Sequence, residues 1–197
     1  MATPPDFVSG AVLTAAQMNA VGLWRNTTLT VSSAGGTAAT VSDGVVTVGA
    51  GNTSVTLSSA FSADFANYKI IMSGVDLSSN GEALRLTLSS VTGTVYKTNI
   101  QYAAWGTGAF SSTGSTGIST GFLLGFGGTT DNTNISAEVF NPQIAKATGC
   151  LSQSSSESYW TTSGGLCTST TQSTGFTITV DNGTMSGGII CVYGYNS

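Results

Sequence analysis

The chain has 197 residues, of which 40% are apolar and 7% charged, with five Lys or Arg against nine Asp or Glu and a net charge of −4. An ordinary globular domain is about 25% charged, so solubility here rests on hydroxyls and amides. The five cations (Arg25, Lys69, Arg85, Lys97 and Lys146) are scattered, which excludes the clustered basic surface that nucleic acid or an anionic membrane requires.

The N-terminal stretch carries the one helix signal. Pro4 and Pro5 favour extended chain. Thr14 then reads as an N-cap with Gln17 three residues later, a capping box. Leu13 and Met18 are placed to form the accompanying hydrophobic staple, and Gly22 offers a stop. Met1–Asp6 lack the basic and apolar regions of a secretory leader, and no apolar run approaches the ~18 residues of a membrane span. The expectation is a product made in a cytoplasm and not exported by the usual route, without membrane insertion.

From Asn26 onward short β-like segments follow one another. Residues 26–33 alternate apolar and polar side chains, the pattern of a half-buried strand. Asp43-Gly44 marks a two-residue hairpin inside 40–48. Residues 53–57, 68–75 and 83–89 read as strands, with Asn80-Gly81 predicted to join the last two as a hairpin. Between Ser90 and Thr133 the pattern thins, and SSTGSTGISTG reads as a loop or a Gly-rich edge. Residues 122–126, 135–140, 146–152, 158–162, 166–170, 175–180 and 185–195 complete the predicted strands. Strands at short, regular spacing with turn residues between them predict an all-β, antiparallel β-sandwich, jelly-roll-like, with a short N-terminal arm and helix. The expected organisation is an arm over residues 1–25 and a sandwich body over 26–197.

The residues that chemistry would need are sparse. The chain has no histidine, which removes the usual general base, metal ligand and triad member together. Asp131 with Glu138, or Asp76 with Glu82, can be written as carboxylate pairs, yet Asp43, Asp76, Asp131 and Asp181 read as turn residues capping their own backbone. The Gly-rich pieces lack the strand-to-helix context and the Lys of a phosphate loop. No catalytic residue, cofactor or metal site is expected. Cys150, Cys167 and Cys191 read as buried free thiols, a Cys150–Cys167 bridge being the alternative. Asn26, Asn52, Asn134 and Asn182 each begin an N-x-S/T sequon, as chance supplies in so Ser/Thr-rich a chain. Trp105 and Trp160 are candidate glycan-stacking residues, the competing role of such aromatics being core or interface.

The two ends carry a resemblance. Asp6-Phe7-Val8-Ser9-Gly10, followed by Val12-Leu13-Thr14-Ala15-Ala16-Gln17-Met18-Asn19 and then Gly22-Leu23-Trp24, resembles the opening of many tailed-bacteriophage structural proteins, where a DF–G–LTAAQMN segment precedes a β-rich body. Gly187–Tyr195, ending Val192-Tyr193-Gly194-Tyr195, is similar to the ending of the same group of minor tail, fibre-like and virion accessory proteins. The resemblance implies a non-enzymatic, homotrimeric virion protein held to another virion protein through residues 1–25. Phe7, Leu13, Met18 and Trp24 are the docking candidates on that segment. Tail fibre or minor tail protein with host-surface glycan contact is the leading expectation. A capsid decoration or head fibre, and a carbohydrate-binding module, are the alternatives. The last strand, apolar on both faces, is expected at a subunit boundary.

Overall fold

Period-two alternation of inward and outward side chains shapes the longer strands. The structure, a computed structural model, describes residues 22–130 and 133–195. Among these residues there is no helix, and sixteen strands, numbered β1 to β16 in chain order, pair antiparallel throughout. The predicted N-terminal helix, with Phe7, Leu13 and Met18, lies outside the described residues.

The strands form two facing sheets. The long sheet runs, in spatial order, β3 (Thr40–Ser42), β4 (Val45–Thr47), β16 (Ile189–Tyr195), β6 (Asn67–Leu77), β11 (Thr133–Phe140), β12 (Thr148–Ser155), β13 (Tyr159–Cys167), β8 (Tyr96–Ala104) and β9 (Phe110–Ile118). Off this path, β1 (Trp24–Arg25) pairs with β16, and β15 (Met185–Ser186) pairs with β6. The short sheet runs β10 (Phe122–Phe126), β7 (Ala83–Leu88), β14 (Phe176–Val180), β5 (Ser54–Ser58) and β2 (Thr30–Ala34).

Between the sheets lies one main core. Tyr68, Ile70 and Met72 from β6, Leu84 and Leu86 from β7, Phe122 and Leu124 from β10, and Phe176 and Ile178 from β14 are all buried in it. Phe61 packs against Tyr68 and Phe176 at centroid distances of 4.7 and 5.4 Å, and Tyr96 meets Phe122 edge-on at 5.1 Å, geometries aromatic rings favour. The polar ends of the buried tyrosines are satisfied. The Tyr96 hydroxyl accepts the Leu88 N–H at 2.9 Å, and the Tyr68 hydroxyl donates to the Ser62 carbonyl at 2.7 Å.

One margin of the sandwich is closed by hydroxyls. β10 is the edge of the short sheet and leaves backbone groups unpaired on its outer side, groups that cannot be buried without partners. The long sheet supplies them: Ser152 donates to the Leu124 carbonyl at 2.8 Å, Ser163 donates to the Leu123 carbonyl at 2.6 Å, and the Thr98 hydroxyl accepts the Leu123 N–H at 3.1 Å. This seam explains why β12 and β13 turn Ser and Thr, rather than only Val or Leu, toward the interior.

Several expectations need correction. Asn80-Gly81 does not close a hairpin, because β6 and β7 lie in different sheets and the turn carries the chain across the sandwich. Residues 158–162 and 166–170 were expected as two strands; one strand, β13, replaces them, Gly164 and Gly165 being tolerated inside it. Gly165 is required there, since a Cβ would stand 2.6 Å from the Phe122 ring. Asp76 is not in a turn but in β6, opposite Ser186. The final strand is interior to the long sheet, paired with β6 on one side and with β4 and β1 on the other, so only its outer face could meet another subunit. Asp43-Gly44 does form the expected hairpin turn between β3 and β4, both residues having positive φ (49° and 74°) as a type I′ turn demands. All three cysteines are buried and free, and no Cys150–Cys167 bridge is formed. Burial pushes the Cys150 thiol up to about 12, so it stays protonated and inert.

Candidate functional site

The outer faces of the two sheets differ in chemistry. On the short sheet, Ser32, Thr56, Thr177 and Thr87 form one transverse row of hydroxyls, with Thr56 and Thr177 bonded at 2.9 Å. Beside that row Arg85 grips Asp181 through two hydrogen bonds of 2.6 and 2.9 Å. This face offers little beyond small hydroxyls. The long sheet's outer face instead carries aromatic, aliphatic and amide side chains in rows that the strand register defines.

The first row runs Phe110, Ala103, Trp160, Ser155 and Asn134 across β9, β8, β13, β12 and β11. The second runs Ser112, Gln101, Thr162, Gln153, Ser136, Ile71 and Cys191. Neither contains an ionisable group apart from the buried Cys191 thiol. The third runs Gly114, Asn99, Gly164, Leu151, Glu138, Lys69, Tyr193 and Arg25, and here the charges gather, with Lys69 and Glu138 paired at 3.8 Å. The fourth holds Leu166, Gly149, Phe140, Asn67 and Tyr195. Leu151 and Leu166 are exposed, at 56% and 40%. Six residues separate the first row from the fourth along β11 and β13, a span of about 20 Å at strand rise.

The chain enters the body toward the fourth-row end, between the third and fourth rows. Trp24 pairs with Gly194 and Arg25 with Tyr193, so the segment assigned to the arm reaches the sheet at its last residues. Trp24 lies on the core-side register with Gly194 and Tyr68 and is half-buried. With Phe65 it lines a depression at that end of the sandwich, and Phe65 in turn lies so close over Gly194 that a Cβ there would come within 2.3 Å of its ring. Trp24 thus closes that end of the body.

At the opposite, first-row end lies a depression of about 380 Å³, bounded by Trp160 on β13 and Ile71 on β6. Trp160 faces outward because its neighbours Thr161 and Ser163 face inward, the strict consequence of period two. Phe110, 76% exposed, stands edge-on to the indole at a centroid distance of 6.4 Å and an interplanar angle of 89°. The floor between Trp160 and Ile71 is built by Ser136, Gln153, Ser155 and Asn134. Asn134 is fixed in place: its Oδ1 accepts from the Ser73 hydroxyl at 2.8 Å and from the Gly74 N–H at 3.3 Å, bridging the register shift where β11 meets β6. Trp105 stands just past β8, 60% exposed, with its indole N–H donated to the Ser156 carbonyl at 2.8 Å. It does not line the Trp160 depression.

The same end is tied down by Glu157 in the β12–β13 turn. Its carboxylate accepts the Thr129 N–H at 2.9 Å, the Thr129 hydroxyl at 2.8 Å and the Thr130 hydroxyl. These bonds hold its pKa down to about 2, the Thr130 hydroxyl contributing most. A carboxyl depressed in the folded state adds stability that is complete above its unfolded pKa of about 4.5 and is lost as pH falls toward 2. Glu157→Gln should therefore be less stable than the parent at pH 7, and the gap in denaturant midpoint should close between about pH 4.5 and 2. A constant gap across that range would show that the carboxylate is not held this way.

Of the carboxylate pairs considered, Glu138 is engaged with Lys69, and Asp131 lies outside the described residues. Among the described residues no group of three or more His, Cys, Asp or Glu could hold a metal ion. Phe110, Gln153 and Asn134 are site residues that sequence reasoning missed. The signal for their setting was present in residues 96–103, where Tyr96, Thr98, Ile100 and Tyr102 alternate with Lys97, Asn99, Gln101 and Ala103, a clean strand pattern for β8, which lies between β13 and β9 and brings Phe110 into the row of Trp160.

No family model matches the chain, and no curated protein matches it. A solved structure of a Shewanella oneidensis protein of unknown function aligns over 95% of this chain and 97% of that one, at 7% identity and a TM-score of 0.21.

Proposed function

We propose that the chain is a non-enzymatic structural protein of a tailed-bacteriophage virion. In this reading its N-terminal segment anchors it to another virion protein, and its β body projects, as a homotrimer, in a tail fibre or minor tail position. The end motifs set out above support the family. The observation that carries the mechanism is the polarity of the body: the chain enters between the third and fourth rows, while Trp160 stands five residues away along the strand direction, about 17 Å, at the other end. An anchor at one end and a recognition surface at the other is the arrangement a projecting subunit needs. The repeated crossing of the chain between the two sheets supports the jelly-roll-like form of the sandwich.

The low charge of the chain favours assembly, and the exposed Leu151 and Leu166 near the anchored end give a second copy an apolar contact. A capsid decoration or head fibre would use the same polarity at a different site on the particle. A free-standing carbohydrate-binding module is favoured by the Trp160 depression alone and gives the N-terminal segment no task.

Deleting residues 1–21, which leaves β1 and its pairing to β16 intact, should abolish incorporation into particles while the body stays folded and sediments at three times the mass of the shortened chain. Incorporation at the full-length level would refute the anchor, and a single-chain mass in native buffer would refute the trimer.

A further inference from the structure

We infer that the depression between Trp160 and Ile71 is a binding site for a neutral oligosaccharide. This deepens the proposed function by naming the ligand class of the projecting end. Three features point to it. First, the depression offers two apolar surfaces, the Trp160 indole and Ile71, on strands three places apart, or about 14 Å at inter-strand spacing. Second, the floor between them consists of hydroxyls and carboxamides (Ser136, Gln153, Ser155 and Asn134), with no ionisable side chain among the lining residues. Third, the Trp160 ring is held by Phe110 edge-on to it, so its orientation is set before a ligand arrives, which lowers the ordering cost of binding.

A pyranose ring presents C–H groups on its faces and hydroxyls on its rim. The face suits an indole, and the rim suits side chains that both donate and accept, as carboxamides and hydroxyls do. An anionic sugar or phosphate would find no cation here. The nearest, Lys69, stands in the third row and is engaged with Glu138. An extended peptide would use the hydrogen-bonding edge of a sheet rather than the face of one. The span of the depression fits a short chain of rings rather than a single one.

The test is a panel of immobilised neutral and acidic oligosaccharides of bacterial surface type, probed with the full-length protein, followed by titration calorimetry on the best neutral binder. The expected result is retention of neutral members. Trp160→Ala should weaken binding at least about tenfold, Trp160→Phe should keep part of it, and Gln153→Ala should weaken it less. Ser32→Ala, on the outer face of the short sheet, should leave it unchanged. Circular dichroism confirms that each variant is folded, and the conservative Trp160→Phe gives a readout if Trp160→Ala is not. Binding to no member of the panel, preference for acidic members, or binding that survives both Trp160→Ala and Gln153→Ala would overturn the site. Failure here is separable from failure of the virion reading, because Trp160→Ala protein should still enter particles through residues 1–21.

Discussion

Gly125→Ala is expected to lower the melting temperature by about 5–10 °C. Gly125 lies in β10, directly under the hydroxyl seam that joins the two sheets. A Cβ at this position would stand 2.0 Å from the Ser154 hydroxyl oxygen, 2.6 Å from the Ser154 Cβ and 3.0 Å from the Thr161 hydroxyl. Ser154 and Thr161 are themselves hydrogen-bonded at 2.6 Å and buried, so neither can swing away without leaving a polar group unpaired. Overpacking of a core position costs about 1–3 kcal/mol, and in a domain of this size each kcal/mol shifts the melting temperature by about 2–4 °C. The cause is testable by compensation. Ser154→Gly removes the obstructing side chain, so the double variant Gly125→Ala with Ser154→Gly should recover much of what Gly125→Ala loses. The recovery is incomplete because the bond to Thr161 is gone, worth about 1 kcal/mol. A Gly125→Ala protein that melts with the parent, or a double variant worse than the sum of the two singles, would show that β10 does not lie against β12 and β13 as described.

This seam also shows what was legible in the sequence and what was not. Strands with strict alternation, such as Leu84, Leu86 and Leu88 against Arg85 and Thr87, were read directly because burial on one face leaves a period-two trace. β12 and β13 were harder. Their inward positions are Thr148, Cys150, Ser152 and Ser154, then Thr161, Ser163, Gly165 and Cys167, so hydrophobicity does not distinguish the two faces. The inward hydroxyls are there to satisfy β10, a partner distant in sequence, and that requirement leaves no local signature. The same holds for Asn80-Gly81. Its composition signals a hairpin, but β7 pairs instead with β14 in the other sheet, Leu86 opposite Ile178 and Leu88 opposite Phe176, partners distant in sequence. The candidate site was half visible. Trp160 was identified from its residue type, but its companions come from four strands whose mutual register only the fold assigns. Trp24 was placed with the arm because it ends the GLW signature, whereas its pairing with Gly194 makes it the first residue of the sheet.

The second large effect expected concerns orientation on the particle. If residues 1–21 anchor the protein and the Trp160 end projects, two exposed positions at opposite ends of the body should lie at different heights above the particle surface. Thr107, in the β8–β9 turn, is at the projecting end, and Lys146, in the loop between β11 and β12, is at the anchored end. Both are exposed, and the native cysteines will not compete for a thiol-directed label, since all three are buried and Cys150 is held protonated by burial. Thr107→Cys and Lys146→Cys proteins, each labelled with a maleimide gold cluster, can be assembled separately into particles and imaged by electron cryomicroscopy. The predicted result is a Thr107 label at least about 20 Å farther from the particle than the Lys146 label. A Lys146 label that lies outermost, or labels at equal height, would contradict the account, because the Trp160 surface would then face the particle rather than the host.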